Sequence, residues 1–253
     1  MPPGLHCPMK LRLTLALVGS AAALGAAPVS FSGGPSRVAL IELYTSEGCS
    51  SCPPADRWLG ALRDDPGLWK EFVPLAFHVN YWDSLGWKDR LSSGSSTERE
   101  YAYASAWGSR TVYTPCFVRN GAEWKPSWGL PGRQGGAAGL LRITLGDDGA
   151  CGVLFEPATG ALSAPHEVHL ALLGGGIASR VTAGENRGET LTHEFVVLGM
   201  TEAALVSGPE GSGERTILML PRAAADSRRR ALAAWITRQG ELEPLQAAGG
   251  WIP

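Results

Sequence analysis

The sequence carries little charge and no long run of one sign. Charged residues make up 18% of the 253, with 22 Lys and Arg against 24 Asp and Glu. The longest basic run is Arg228 to Arg230, which a solvated loop or element end accounts for. A chain of this kind lacks the electrostatic footprint of a nucleic-acid binder. No internal repeat and no low-complexity tract is present. No second Cys-x-x-Cys accompanies the one at Cys49 and Cys52, which argues against a four-cysteine zinc site. What remains is a chain with 44% hydrophobic residues, sufficient for a globular core.

The one apolar run near the start, "LTLALVGSAAALGAA", follows Lys10 and Arg12 and ends in small residues. That is the layout of a secretory signal peptide, predicted to span 1–27. The run holds Gly19 and Ser20 and is too short for a stable membrane span, and no cysteine follows it to carry a lipid anchor. Export, periplasmic or secreted, is therefore expected. Cys7 would leave with the signal, and Cys49, Cys52, Cys116 and Cys151 would remain in an oxidising compartment. Four cysteines allow three pairings, and sequence alone does not choose between them.

Residues 28–36 read as a flexible leader. "RVALIELYT" is apolar on both faces, the pattern of a strand covered on both sides. "PPADRWLGALRDD" reads as a helix with prolines in its first turn. "FVPLAFHVNYW" is a second strand, and "STEREYAYASAWG" a second helix ending at Gly108. "RTVYTPCFVRNGAEWKPSW" reads as a hairpin turning at Asn120-Gly121. After Trp128 the chain becomes Gly-rich, and short β runs separated by turn residues follow. "ALAAWITRQGELEPLQAA" is ambiguous between helix and strand.

A strand leading into Cys-x-x-Cys at a helix start has a chemical logic. Unpaired amides there stabilise a thiolate, so Cys49 is the candidate nucleophile. Cys52, one turn in, is the candidate resolving thiol. A structural bridge and a metal site stay open as alternatives, although a two-residue loop gains little stability from closure. Glu42 in the first strand is either a buried proton acceptor for Cys52 or a solvent-facing strand residue. Glu47 is expected to be exposed and screened. His78 reads as a hydrogen-bonded core histidine, or as a copper ligand beside Cys49 and Cys52. Tyr81, Trp82 and Trp87 form either a packed loop or the wall of a substrate groove. "AGENRG", residues 183–188, reads as a polar turn.

The order strand, Cys-x-x-Cys, helix, strand, helix, Thr-Pro, hairpin resembles the thioredoxin fold. In that fold the proline is cis and the preceding residue offers its backbone to a bound peptide, roles that Pro115 and Thr114 would take. "IELYTSEGCSSCPPAD", "AFHVNYWDSLGWKDR", "YTP" and "AGENRG" together resemble the exported thioredoxin-like family catalogued as domain of unknown function 1223, over about residues 37–253. The resemblance implies an α/β thioredoxin-like domain over 37–130 and a β-rich domain over 131–253 packed on it. Cys116 stands where a glutamine is expected of the family. It is predicted either to bridge to Cys151 or to serve as a third thiol.

The expected activity is thiol–disulfide exchange on exported proteins, without an organic cofactor and with an electron-exchange partner protein. A copper metallochaperone using Cys49, Cys52 and His78, or a non-catalytic binding module, are the alternatives.

Overall fold

The computed structural model describes Met1 and residues 28–126, 134–158, 165–209 and 213–253. The predicted signal segment lies outside the described residues. β1 (Val29–Gly33), β2 (Ser36–Arg37) and β3 (Ala39–Thr45) lead into α1 (Pro53–Ala61), which tightens into a 3-10 turn at Leu62–Asp64. β4 (Phe72–His78) and a 3-10 turn at Asp83–Leu85 precede α2 (Gly94–Ala106). β5 (Cys116–Arg119), β6 (Ala122–Trp124), β7 (Gln134–Ala137), β8 (Leu140–Leu145) and β9 (Ala150–Glu156) follow. The rest of the chain is β10 (His166–Gly175), β11 (Ile177–Arg180), β12 (Thr190–His193), β13 (Val196–Ala204), β14 (Val206–Ser207), β15 (Glu214–Met219), β16 (Arg229–Arg238) and β17 (Gln246–Ile252).

Strand accounts for 47% of the described residues and helix for 14%. That balance overturns the expected α/β thioredoxin-like fold: the protein is a β-rich sandwich flanked by two helices. The main sheet has eight strands in the order β17-β16-β10-β13-β4-β3-β5-β6. Its left half comes from the C-terminal segment and its right half from the cysteine segment. The junction is a parallel pairing of β13 with β4 at Val196 and Ala76. From Ala39 to Trp124 the local order of strands and helices matches the sequence reading. The sequence pattern could not show that the outer edge of β4 is completed by a strand more than a hundred residues later.

The second sheet has five strands, β1-β8-β9-β15-β14, all antiparallel. Leu141, Ile143, Val153 and Phe155 of this sheet pack against Val168, Leu170, Leu232 and Ile236 of the main sheet. Face-to-face packing of two sheets in this way makes the sandwich core. The predicted flexible leader is instead strand β1, paired with β8 from Val29–Leu145 to Gly33–Leu141. The ambiguous C-terminal segment forms two strands, β16 and β17, which turn at Gly240 and pair through Ala233–Gly249.

Every residue of β3 and β4 is buried, because helices cover both faces of this part of the sheet. Ile41 and Leu43 meet Leu59 and Leu62 on the α1 side, while Leu40 and Tyr44 meet Tyr103 of α2 on the other. α2 begins earlier than the sequence reading placed it. Ser93 is its cap and accepts from the Ser96 amide at 3.1 Å. Asn120 and Gly121 both have positive φ, +49° and +86°, as the tight hairpin turn between β5 and β6 requires.

Candidate functional site

The end of β3 delivers the chain into the cysteine loop. Cys49 N donates to Ser46 O and Cys52 N to Cys49 O, each at 3.2 Å. Cys52 is the residue before the helix, with Pro53 and Pro54 inside its first turn, where their missing amides cost nothing. The Ser51 hydroxyl lies 3.2 Å from the Cys49 sulfur, and the Cys49 thiol donates to Thr114 O at 3.7 Å. The Thr114–Pro115 peptide is cis. Both cysteines are free.

The two sulfurs differ in proton affinity. A hydrogen bond from Cys52 lowers Cys49 most; burial opposes it, the Ser51 hydroxyl and amide assist, and the Cys49 thiol falls to about 6. Burial first, and then the neighbouring Cys49, push the Cys52 thiol far up. One sulfur is ionised near neutral pH while the other holds its proton.

The site is closed. Cys49 is only 1% exposed, beneath the exposed Ser50 and Ser51. The 183–188 turn, which connects β11 and β12, lies across the cysteine loop. Asn186 Nδ2 donates to Glu47 O and to Cys49 O, each at 2.9 Å, and the Ser50 amide donates to Glu185 at 3.0 Å. Two predicted groove residues act as ties. Trp82 Nε1 donates to Thr114 Oγ1 and Trp87 Nε1 to Glu47 Oε2, each at 2.8 Å. Tyr81 packs beside Trp82, with 6.5 Å between ring centroids.

Several expected roles are corrected. Glu42 is buried and points to the α2 side, where Arg99 donates to both of its oxygens at 2.8 and 3.2 Å. Tyr44 and Tyr103 hydroxyls also donate to it. A carboxylate so fully engaged is not a free proton acceptor for Cys52. Glu47, expected to be exposed, is buried. Cys116 and Cys151 lie in different sheets and different core clusters, so the expected bridge between them is not formed. His78 does not converge with the sulfurs. Its Nδ1 is 2.6 Å from Asp89 Oδ2, and its ring stands edge-on to His193. Among the described residues it groups with Asp56 and His193 rather than with Cys49 and Cys52.

The sequence reading gave no role to five residues that the fold places near the cysteine loop or on the elements around it. Asp56 sits one turn after Cys52, Asp89 holds His78, and His193 ends β12. Asn186 clasps the loop, and Glu100 is buried on α2, raised to about 7 by that burial. Burial pushes the Tyr81 hydroxyl far up, and Glu100, Thr114 and Cys52 also influence it. Asp56, Asp89 and Asn186 stood inside the motifs that drew attention. His193 and Glu100 carried no local signal, since only strand pairing and helix docking bring them here.

Similar solved structures include two that cover most of this chain. A protein of Agrobacterium tumefaciens shares 23% identity, with 85% of this chain and 94% of that one covered and a TM-score of 0.57. HBP35 of Porphyromonas gingivalis shares 12%, with 86% and 76% covered and a TM-score of 0.60. At these identities the likeness is of fold. A search of curated proteins found no match. The family profile described as protein of unknown function (DUF1223) matches residues 40–237, which span the cysteine loop, both helices and most of the main sheet, and the chain belongs to that family.

Proposed function

We propose that the protein is a thiol–disulfide oxidoreductase acting on exported proteins in an oxidising compartment. The observation that carries this reading is the split between the two sulfurs: Cys49 lowered to about 6 and Cys52 raised. A nucleophile that is ionised beside a resolving thiol that is not is the arrangement exchange requires.

In the forward direction the Cys49 thiolate attacks one sulfur of a partner disulfide. A Cys49–partner bond forms, and the other partner sulfur leaves as a thiolate. Cys52 then loses its proton and attacks Cys49, forming the Cys49–Cys52 bond and releasing the second partner thiolate. Two electrons pass from the pair to the partner, and a separate electron-exchange protein restores or drains the pair. The Cys52 proton goes to water or to the partner thiolate already released, since Glu42 is held by Arg99. The closed loop demands that the substrate displace the Ser51 hydroxyl and loosen the Asn186 clasp.

Redox titration with alkylation and mass spectrometry tests the reading. The expected result is a Cys49–Cys52 couple that equilibrates with a glutathione buffer and transfers electrons to a disulfide substrate, both lost in Cys49→Ser. A couple well below about −300 mV would mark a structural bond and overturn it. The 1% exposure of Cys49 favours one second reading, a non-catalytic binding module with sealed thiols. Failure of both insulin reduction and oxidative transfer would select it.

A further inference from the structure

Beneath the cysteine loop, three buried side chains from distant parts of the chain converge: Asp56 of α1, His78 at the end of β4 and His193 at the end of β12. They are 9%, 1% and 1% exposed. One donor atom from each lies within 4.8 Å of the others. From Asp56, His78 and His193 we infer a divalent metal site of the zinc class, separate from the thiol pair.

The hydrogen-bond pattern points to an ion. His78 uses Nδ1 for Asp89, which leaves Nε2 buried without a hydrogen-bond partner. Neither ring nitrogen of His193 has a hydrogen-bond partner, although both are buried. Its Nδ1 faces Asp56 Oδ1 at 4.0 Å, and its Nε2 faces Glu47 Oε1 at 3.3 Å. Buried polar atoms are almost always satisfied, so two unpartnered imidazole nitrogens in one cluster, His78 Nε2 and His193 Nδ1, call for a missing partner. The rings stand nearly perpendicular, at 83° with 4.8 Å between centroids, so two nitrogens can address one centre without a ring clash.

The surroundings match those of metal-bound histidines. Such a ligand is held by a carboxylate on its other nitrogen, which fixes the tautomer and raises the basicity. Here Asp89 serves His78, and Glu47 serves His193, itself fixed by Trp87. Thr45 Oγ1 donates to Asp56 Oδ2 at 3.0 Å and leaves Oδ1 to the site. Two imidazoles and one carboxylate form a borderline donor set that suits Zn2+ better than Ca2+ or Mg2+. A ligand distance of roughly 2.0–2.1 Å asks the three side chains to draw in from their present spread. With three protein ligands, a fourth position stays open for water. The bound ion would tie α1, and with it the cysteine loop, to the sheet.

The test uses the full chain without an affinity tag, stripped by a chelator and titrated with Zn2+ under native mass spectrometry and with Co2+ by absorption. One ion per chain is expected, with Co2+ d–d bands and no thiolate charge-transfer band. Cys49→Ser/Cys52→Ser should retain the ion, and His78→Gln and His193→Gln should each lose it. Asp89→Asn should weaken binding roughly 10–100-fold. Absence of stoichiometric Zn2+ or Co2+ uptake by the wild-type chain would overturn the inference. A thiolate band that vanishes in the double cysteine variant would do so equally. Should a histidine variant fail to fold, the wild-type Co2+ spectrum still decides.

Discussion

Glu42 of β3 receives the guanidinium of Arg99 from α2 in a two-bond pair, with the Arg99 side chain only 8% exposed and that of Glu42 fully buried. Arg99 also lies over the rings of Phe77, Tyr103 and Trp235 at 5.2 to 5.5 Å. The pair fastens α2 to the sheet and takes no part in proton transfer at the sulfurs. Glu42→Ala should cost about 3–5 kcal/mol in urea denaturation, since it leaves a buried cation without its partner. The pH profile of Cys49 alkylation in the folded variant should match wild type. A shifted profile would return Glu42 to the reactive site.

The lowered Cys49 thiol predicts a pH dependence with a definite sign. The thiolate is the nucleophile, so iodoacetamide reaction should level off above about pH 6 and fall tenfold per unit below it. A free cysteine would still be rising at about pH 8.5. Cys52, Ser51 and Thr114 face the sulfur directly, and Glu185 approaches through the Ser50 amide. Ser51→Ala removes a stabilising bond and should move the midpoint upward. A wild-type midpoint near that of free cysteine would contradict the assigned roles of the two sulfurs.

Asn186→Ala opens the clasp. Both of its bonds go to loop carbonyls, and their loss should cost about 1–3 kcal/mol. Above pH 8, where Cys49 is ionised in either protein, alkylation should run several-fold faster in the variant. Equal rates would show that the 183–188 turn does not control access.

Burial raises Glu100 to about 7. A carboxyl raised in the folded protein destabilises it once the unfolded chain ionises. The penalty grows from about pH 4.5 to pH 7 and then stays constant. Glu100→Gln should therefore stabilise the protein by about 2 kcal/mol at pH 8 and by far less at pH 4.5, read from denaturation midpoints.

Gly33 marks where the predicted leader is built into the fold. A Cβ there would stand 1.9 Å from Ala247 O of β17, a backbone atom that cannot step aside. Gly33→Ala should lower stability by about 1–3 kcal/mol or more, read as a fall in Tm. No change would mean that β1 is not fastened against β17.

The chain's local chemistry was enough to place the elements around the cysteines. Pro53 and Pro54 mark a helix start, Asn120-Gly121 sets a hairpin, and the apolar run of β3 requires cover on both faces. Each depends on residues a few positions apart, which a one-dimensional reading resolves. The leader was misread because "SFSGG" is rich in turn residues, and its burial comes entirely from partners in β8 and β17. Glu42 fell on the side the alternation allowed, but its partner, Arg99, was fixed only by how α2 docks.

The sequence by itself determined a strand that ends in two thiols at a helix start, because covalent spacing and backbone preferences act locally. Only the tertiary structure decided that β13 closes onto β4, making one β-rich sandwich from what reads as two units. The same pairing carries His193, beside β13, to His78 and Asp56. A period-two apolar pattern says that a strand will be buried, and any edge of matching length and apolarity can satisfy it. The choice of edge is made by long-range packing, and that choice assembles the buried site.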